Sequence, residues 1–149
     1  MSDLMIKAEY VEGLLNEQLG EQFDVGQAQL FSVIEQGESV SMTLAGESGD
    51  VYELLQSMDT AFVAKVSDYM VVLTSGWASP ITSDDDEEIA PSQHPERRRV
   101  RLVVMANREG VASVMRFQDD ADNTITDDGQ ARGSLAEALS DLFVVADAL

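Results

Sequence analysis

Two apolar segments joined by a short polar turn constrain the fold of this chain most strongly. Residues 100–106 and 111–117 are rich in Val and Met, and they flank the sequence Asn-Arg-Glu-Gly at 107–110. This arrangement is typical of an antiparallel β-hairpin. Pairing across the turn places Arg101 directly opposite Arg116. The sequence therefore predicts a strand pair together with its register.

This register crowds three arginines on one side of the hairpin. Arg101 faces Arg116, and Arg99 lies two residues further along its strand. Like charges opposite each other destabilise a sheet by up to about 1 kcal/mol unless negative groups lie between them. The other side of the hairpin carries Leu102 and Val104, and we expect that side to face the core. We also expect a negative group over the arginines.

Two sources of that negative charge remain open. The protein's own acids could neutralise the arginines, either the acidic run 84–88 or Asp119 and Asp120. Alternatively the arginines form a ligand site and bind a carboxylate or phosphate through bidentate hydrogen bonds. The only tryptophan, Trp77, could stack on such a ligand or pack against the core. The candidate ligand-binding residues are therefore Arg99, Arg101, Arg116 and Trp77.

Apolar residues at helical spacing predict four helices. In residues 5–19 they form two adjacent rows, Ile6-Tyr10-Leu14 and Val11-Leu15-Leu19. Two further helices are predicted at 25–36 and 50–66, the second with a division at Asp59-Thr60 as an alternative. The last helix begins with a Ser-x-x-Glu cap at Ser134 and ends near Asp147.

Two more strands complete the predicted fold. Alternating apolar residues at 39–44 predict a half-buried strand, and the apolar run 69–73 predicts an interior strand covered on both faces. The strands and helices do not alternate as β-α-β units, which favours an α+β arrangement. We therefore predict one acidic α+β domain over residues 1–149, with a mainly antiparallel sheet of about four strands and about four helices.

The charge of the chain is strongly unbalanced, since 28 Asp and Glu face 9 Lys and Arg and the formal net charge is -19. Such a protein repels phosphate backbones and anionic lipids, so we expect no direct nucleic-acid binding and no membrane binding. Residues 81–96 hold five consecutive acids and two prolines, which predicts a flexible acidic loop. The N-terminus is acidic where a secretory signal is basic, so we expect a cytoplasmic protein.

The sequence lacks the common catalytic and cofactor motifs. Without cysteine it has no thiol nucleophile, disulfide, iron–sulfur cluster or thiolate zinc site. The only histidine, His94, lies in the acidic loop, and Ser75 lacks the Gly-x-Ser-x-Gly turn of hydrolases. No calcium loop, Walker motif or Rossmann motif is present. We therefore assign no catalytic residue, metal or cofactor, and the sequence favours a protein that is not an enzyme.

Several short motifs in the second half of the chain carry a resemblance. They are Gly-Trp-Ala-x-Pro at 76–80, His-Pro-Glu-Arg-Arg-Arg-Val-Arg at 94–101, the strand from Gly110 to Phe117, and Gly-x-Leu-x-x-Ala-Leu at 133–139. Together with the acidic loop, they resemble small uncharacterised proteins of actinobacterial type. The resemblance implies that the second half is one unit, and it implies no activity.

Three functions follow from this reading. The leading one is a non-enzymatic interaction or accessory protein, which binds a protein partner or a second copy of itself as a homodimer through its amphipathic helices. The second is an anion- or small-molecule-binding protein that uses the arginines. The third is an acidic nucleic-acid mimic, which occupies a DNA-binding protein with carboxylates such as Glu9, Glu12, Glu17 and Glu21.

Overall fold

A six-stranded antiparallel sheet is the central layer of the protein, in a computed structural model that describes residues 3–78, 93, 95–128 and 134–149. The strands are β1 (Ala28–Gln36), β2 (Ser39–Ser48), β3 (Tyr69–Ala78), β4 (Arg98–Ala106), β5 (Val111–Phe117) and β6 (Asp120–Asp128). Their spatial order is β2-β1-β3-β4-β5-β6. The helices are α1 (Asp3–Leu19), α2 (Val51–Leu55), α3 (Met58–Lys65) and α4 (Ser134–Asp147).

Helices cover both faces of the sheet. On the face that we call the α1 face, Met5 and Leu15 of α1 share a core with Val103. On the opposite face, which we call the α4 face, Leu139 belongs to a second core with Val104, together with α2 and α3. The sequence predicted a core only on the side of the hairpin that carries Leu102 and Val104. The structure has a second core on the side that carries the arginines. No helix within the described residues is long and apolar enough to cross a membrane.

The predicted hairpin and first helix are confirmed. β4 and β5 pair in the predicted register, with Arg101 opposite Arg116. The Asn107 side chain closes the turn by accepting hydrogen bonds from the backbone N–H groups of the two residues that precede β5. Helix α1 ends at Leu19 and is followed by Gly20, whose φ of 56° is the left-handed conformation that glycine adopts readily after a helix C-terminus.

The helix predicted at 25–36 is wrong, because most of this segment forms strand β1. Leu30 belongs to the core on the α4 face, whereas Phe31 and Val33 belong to the core on the α1 face. A strand that is covered on both faces has apolar residues in succession, and its pattern fits a helix as well as a strand. Gly37, with a φ of 64°, then turns the chain into β2.

The predicted number of strands is also wrong, since the described residues form a sheet of six strands and not about four. The other missed strand, β6, has the sequence DADNTITDD, and its residues 121–127 are all exposed. Because neither side of β6 is buried, no apolar alternation marks it, and backbone pairing with β5 keeps it in the sheet. The α+β class, the single antiparallel sheet and the number of helices are confirmed within the described residues, although the predicted helix at 25–36 is absent and the segment 50–66 forms two helices.

Three smaller predictions have different outcomes. The segment 50–66 divides into α2 and α3 at Gln56 and Ser57, earlier than the division that the sequence suggested. The last helix ends at Asp147 as predicted. His94, the Ser134 side chain and most of the predicted acidic loop at 81–96 lie outside the described residues.

Candidate functional site

Arg101 is a buried cation that ties the sheet to the end of α1. Its side chain is 1% exposed. Nη1 donates to the backbone oxygens of Gln22, at 3.1 Å, and Gly20, at 3.4 Å, and Nη2 donates to Asn16 Oδ1. The guanidinium carbon lies 4.4 Å from the centroid of the Phe23 ring. Cations are stabilised near the carbonyl end of a helix, so Arg101 acts as a cap for α1.

Arg116 forms a buried ion pair with Glu12 of α1. Arg116 Nε donates to Glu12 Oε2 at 2.7 Å and Nη2 donates to Oε1 at 2.6 Å, while Nη1 donates to the backbone oxygen of Ala121. The two side chains are 13% and 3% exposed. Hydrogen bonding to Glu12 raises the pKa of Arg116, whereas burial lowers the pKa of Arg101.

Glu12 is thus the negative group that the register required. The sequence suggested Asp119 and Asp120 or the run 84–88 for this role. Asp119 instead pairs with Arg98, whose Nη2 lies 2.6 Å from Asp119 Oδ1, and the run 84–88 lies outside the described residues.

Glu12 carries a signal that the sequence reasoning did not use. It lies four residues after Ala8 and three before Leu15, on the side of α1 that packs on the sheet. A carboxylate on the covered side of a helix needs a buried cationic partner. Because Glu12 is buried while Glu9, Glu17 and Glu21 are exposed, these four acids do not form one surface that could imitate phosphates.

Arg99 and Trp77 form a separate, more exposed pair. They are direct cross-strand partners on β4 and β3, and the Arg99 guanidinium carbon lies 4.1 Å from the ring centroid of Trp77. The guanidinium carbon of Arg97 lies 4.8 Å from the same ring. Arg99 Nη2 is 3.7 Å from Asp24 Oδ2, a looser contact than the Arg116–Glu12 pair. The four candidate residues therefore divide into a buried pair under α1 and an outer pair at the ends of the strands.

Residues of α1 and β2 form an exposed apolar surface on the α1 face of the sheet. Tyr10 and Leu14 of α1 are 64% and 38% exposed, and Val40 and Leu44 of β2 are 57% and 45% exposed. Tyr10 and Val40 line one groove. Met42, which is half-buried, lies between the two β2 residues on the same face. We call these five residues, Tyr10, Leu14, Val40, Met42 and Leu44, the β2 surface.

A polar triad borders this groove. Lys7 Nζ donates to Glu35 Oε1 at 2.8 Å and to the Tyr69 hydroxyl at 2.6 Å. The hydrogen bond from Lys7 lowers the pKa of Glu35, and the hydrogen bonds to Glu35 and Tyr69 raise the pKa of Lys7. Burial raises the pKa of Tyr69. Each shift stabilises the form present at neutral pH, so the triad is a fixed electrostatic contact there.

The described residues contain neither a group of side chains arranged to bind a metal ion nor a buried polar side-chain atom without a hydrogen-bond partner. No group of three or more His, Asp or Glu side chains in the described part of the chain is arranged to hold a metal ion. Every buried side-chain nitrogen or oxygen that the structure describes has a hydrogen-bond partner.

Removing the charge of Glu12 should destabilise the fold strongly. We expect Glu12→Gln to lower the free energy of unfolding by about 3 to 5 kcal/mol, because it leaves buried Arg116 without its ion partner. The exposed Glu9 on the same helix provides the matched control, and Glu9→Gln should change stability by less than about 0.5 kcal/mol. Urea unfolding measures both variants, and equal losses would contradict the assigned role of Glu12.

The Lys7–Glu35 pair should give a pH-dependent contribution to stability. Since the folded pKa of Glu35 is lowered, this contribution is complete above the ordinary Glu pKa of about 4.3 and is lost as the pH falls through the lowered value. The pair is partly exposed, so we expect wild type to exceed Glu35→Gln by less than about 1 kcal/mol at pH 7. Urea unfolding between pH 7 and pH 3 should show this advantage shrinking, and an advantage that grows on acidification would contradict the pairing.

Comparison of the chain with known proteins finds no matching family model, no matching curated protein and no matching solved structure. The resemblance of the second half to small actinobacterial-type proteins therefore stays a prediction.

Proposed function

We propose that this protein is a non-enzymatic interaction protein of the cytoplasm, which binds another protein chain through the β2 surface. The observation that carries the proposal is that Tyr10 and Leu14 of α1 and Val40 and Leu44 of the edge strand β2 are all exposed on one face of the protein. Single exposed apolar residues are common on proteins, whereas a group of them on one face marks an interaction site. Tyrosine is also enriched in protein interfaces.

The edge of β2 adds a second binding element. Strand β2 ends the sheet, so its outer N–H and C=O groups have no strand partner among the described residues. An extended segment of another chain can pair with such an edge, where backbone hydrogen bonds supply affinity and side-chain contacts supply specificity. The exposed side chains of Val40 and Leu44 would be covered by the same partner.

Arg101 and Arg116, on β4 and β5, have a structural role and are therefore poor candidates for contact with a partner. Arg101 and Arg116 direct their donors to α1, to the backbone that follows it and to Ala121. With those donors used internally, the β2 surface is the better candidate for contact with a partner.

A lysine at position 40 of the β2 surface should weaken binding strongly. Val40→Lys places a charge on the apolar face of the edge strand, which natural proteins use to prevent strand pairing. We expect affinity for the partner to fall at least about tenfold, equivalent to about 1.4 kcal/mol. Val144→Lys is the matched control, because Val144 is an equally apolar residue of α4 that is 69% exposed.

Affinity capture with wild type and with the two variants identifies the proteins that bind. Each recovered protein is then purified and titrated directly, and a second copy of this chain is titrated in the same way. The proposal requires at least one protein that binds wild type and Val144→Lys and is lost with Val40→Lys. It fails if Val40→Lys retains every protein that wild type binds.

Anion binding at the outer pair is a second candidate function. Its observation is that guanidinium groups of Arg97 and Arg99 both lie over the half-buried ring of Trp77, at 4.8 and 4.1 Å. A carboxylate or phosphate would fit this arrangement, because it could accept hydrogen bonds from guanidinium groups that the ring holds in place.

Thermal unfolding with phosphate and citrate tests this second candidate. We expect both anions to raise the melting temperature of wild type by a few degrees and to leave Arg99→Gln unchanged, since a ligand stabilises only a chain that binds it. Arg98→Gln is the control, because Arg98 pairs with Asp119. An equal rise in wild type and Arg99→Gln would remove the outer pair from consideration.

A further inference from the structure

We infer that the partner at the β2 surface is a second copy of this chain, joined by antiparallel pairing of the two β2 strands around a twofold axis at Met42. The inference rests on the proposed function and names its partner. The six strands of each copy would then form one continuous sheet.

The two edges of the sheet differ in a way that favours pairing at β2. Strand β6 has four aspartates among its nine residues, and Asp120, Asp122 and Asp127 are exposed. Strand β2 has no charged residue from Ser39 to Gly46 and no proline. Charges and prolines on edge strands prevent pairing with other chains. By this criterion β6 is protected and β2 is open to a partner strand.

The sequence of β2 is complementary to itself. In an antiparallel pair centred on Met42, Val40 of each copy faces Leu44 of the other, and the two Met42 side chains face each other on the twofold axis. Directly opposed residues share a face, so the apolar rows of both copies form one stripe. Glu47 would face Gly37, so this register opposes no carboxylate to another carboxylate.

The geometry of β2 selects this register. The pairing of β1 with β2 is regular from Ser39 to Leu44, and it shifts at Ala45, where β2 has one extra residue. A bulge bends a strand and interrupts its ladder. Centring the pair on Met42 uses the regular part of both strands, whereas a centre closer to Gly46 would require pairing through the bulge.

The helices α1 of the two copies would lie on the same face of the joined sheet. A twofold axis perpendicular to the sheet keeps the α1 face of each copy on one side, which is an isologous arrangement. The apolar stripe of the two β2 strands would then form a floor between Tyr10 and Leu14 of one copy and those of the other. This arrangement would cover the exposed residues of the β2 surface.

Net charge distinguishes a second copy from a basic partner. Each chain carries a formal charge of -19, so two copies repel each other at long range. Added salt screens this repulsion, because the Debye length falls from about 10 Å at 0.1 M to about 3 Å at 1 M. Self-association should therefore strengthen with salt, whereas a complex with a basic protein would weaken.

Sedimentation velocity and disulfide trapping test the inference together. The dimer fraction of the full chain should rise between 0.05 and about 0.5 M salt, as the screening of charge requires. The chain has no cysteine, so Met42→Cys introduces one thiol, which the twofold axis would bring within the Cα separation of about 4.4–6.8 Å that disulfides need. Ile125→Cys is the control, because Ile125 is 60% exposed on the opposite edge strand.

The expected result is a dimer that strengthens with salt, in which Met42→Cys cross-links rapidly on oxidation and Ile125→Cys does not. A monomer at every salt concentration, or a dimer in which Met42→Cys does not cross-link faster than Ile125→Cys, would overturn the inference. If the chain is monomeric but another protein is captured and then lost with Val40→Lys, the proposed function stands without this partner. If Val40→Lys loses neither kind of partner, the proposed function fails as well.

Discussion

Buried guanidinium groups fix the position of α1 on the sheet, and the arrangement of the layers depends on them. Burying a cation or a carboxylate costs several kcal/mol of desolvation free energy unless hydrogen bonds or an opposite charge compensate it. Arg101 is compensated by the oxygens at the end of α1, and Arg116 is compensated by Glu12. Apolar contacts such as those of Met5 and Leu15 supply buried area but tolerate small shifts of a helix. The hydrogen bonds of the two arginines, in contrast, form only when α1 occupies one position on the sheet.

The position of α1 also explains why an apolar surface stays open. Six strands spaced about 4.8 Å apart extend roughly 24 Å across, whereas one helix with its side chains is about 10 Å wide. A single helix can therefore cover about half of this face, and α1 packs mainly on β4 and β5. The α1 face of β2 remains uncovered as a result, with Val40 and Leu44 on it. In the part of the chain that the structure describes, the opposite face has three helices and is covered more fully.

The parts of the fold that local patterns determine could be predicted from the sequence, and the parts that tertiary context determines could not. The hairpin register was predictable because a turn between two apolar strands leaves one alignment, which opposes Arg101 to Arg116. Strand β1 was misread because burial on both faces removes the alternation that identifies a strand, and β6 was missed because it has no buried face. The source of the negative charge, Glu12, lies 104 residues from Arg116 along the chain. The β2 surface was not predicted, since a pattern identifies an apolar side chain without stating what covers it.

The unequal edges of the sheet have a consequence for how large an assembly can grow. A chain that offered an open strand at both ends could add copies without limit and form a fibre. Here one end is rich in aspartate, with Asp120, Asp122 and Asp127 exposed to solvent. A dimer joined through β2 has a β6 strand at each outer edge, and two β6 strands repel each other because both are negatively charged. If two copies pair through β2, growth would therefore stop at the dimer, because β6 contributes almost nothing to the core but leaves aspartates at both outer edges.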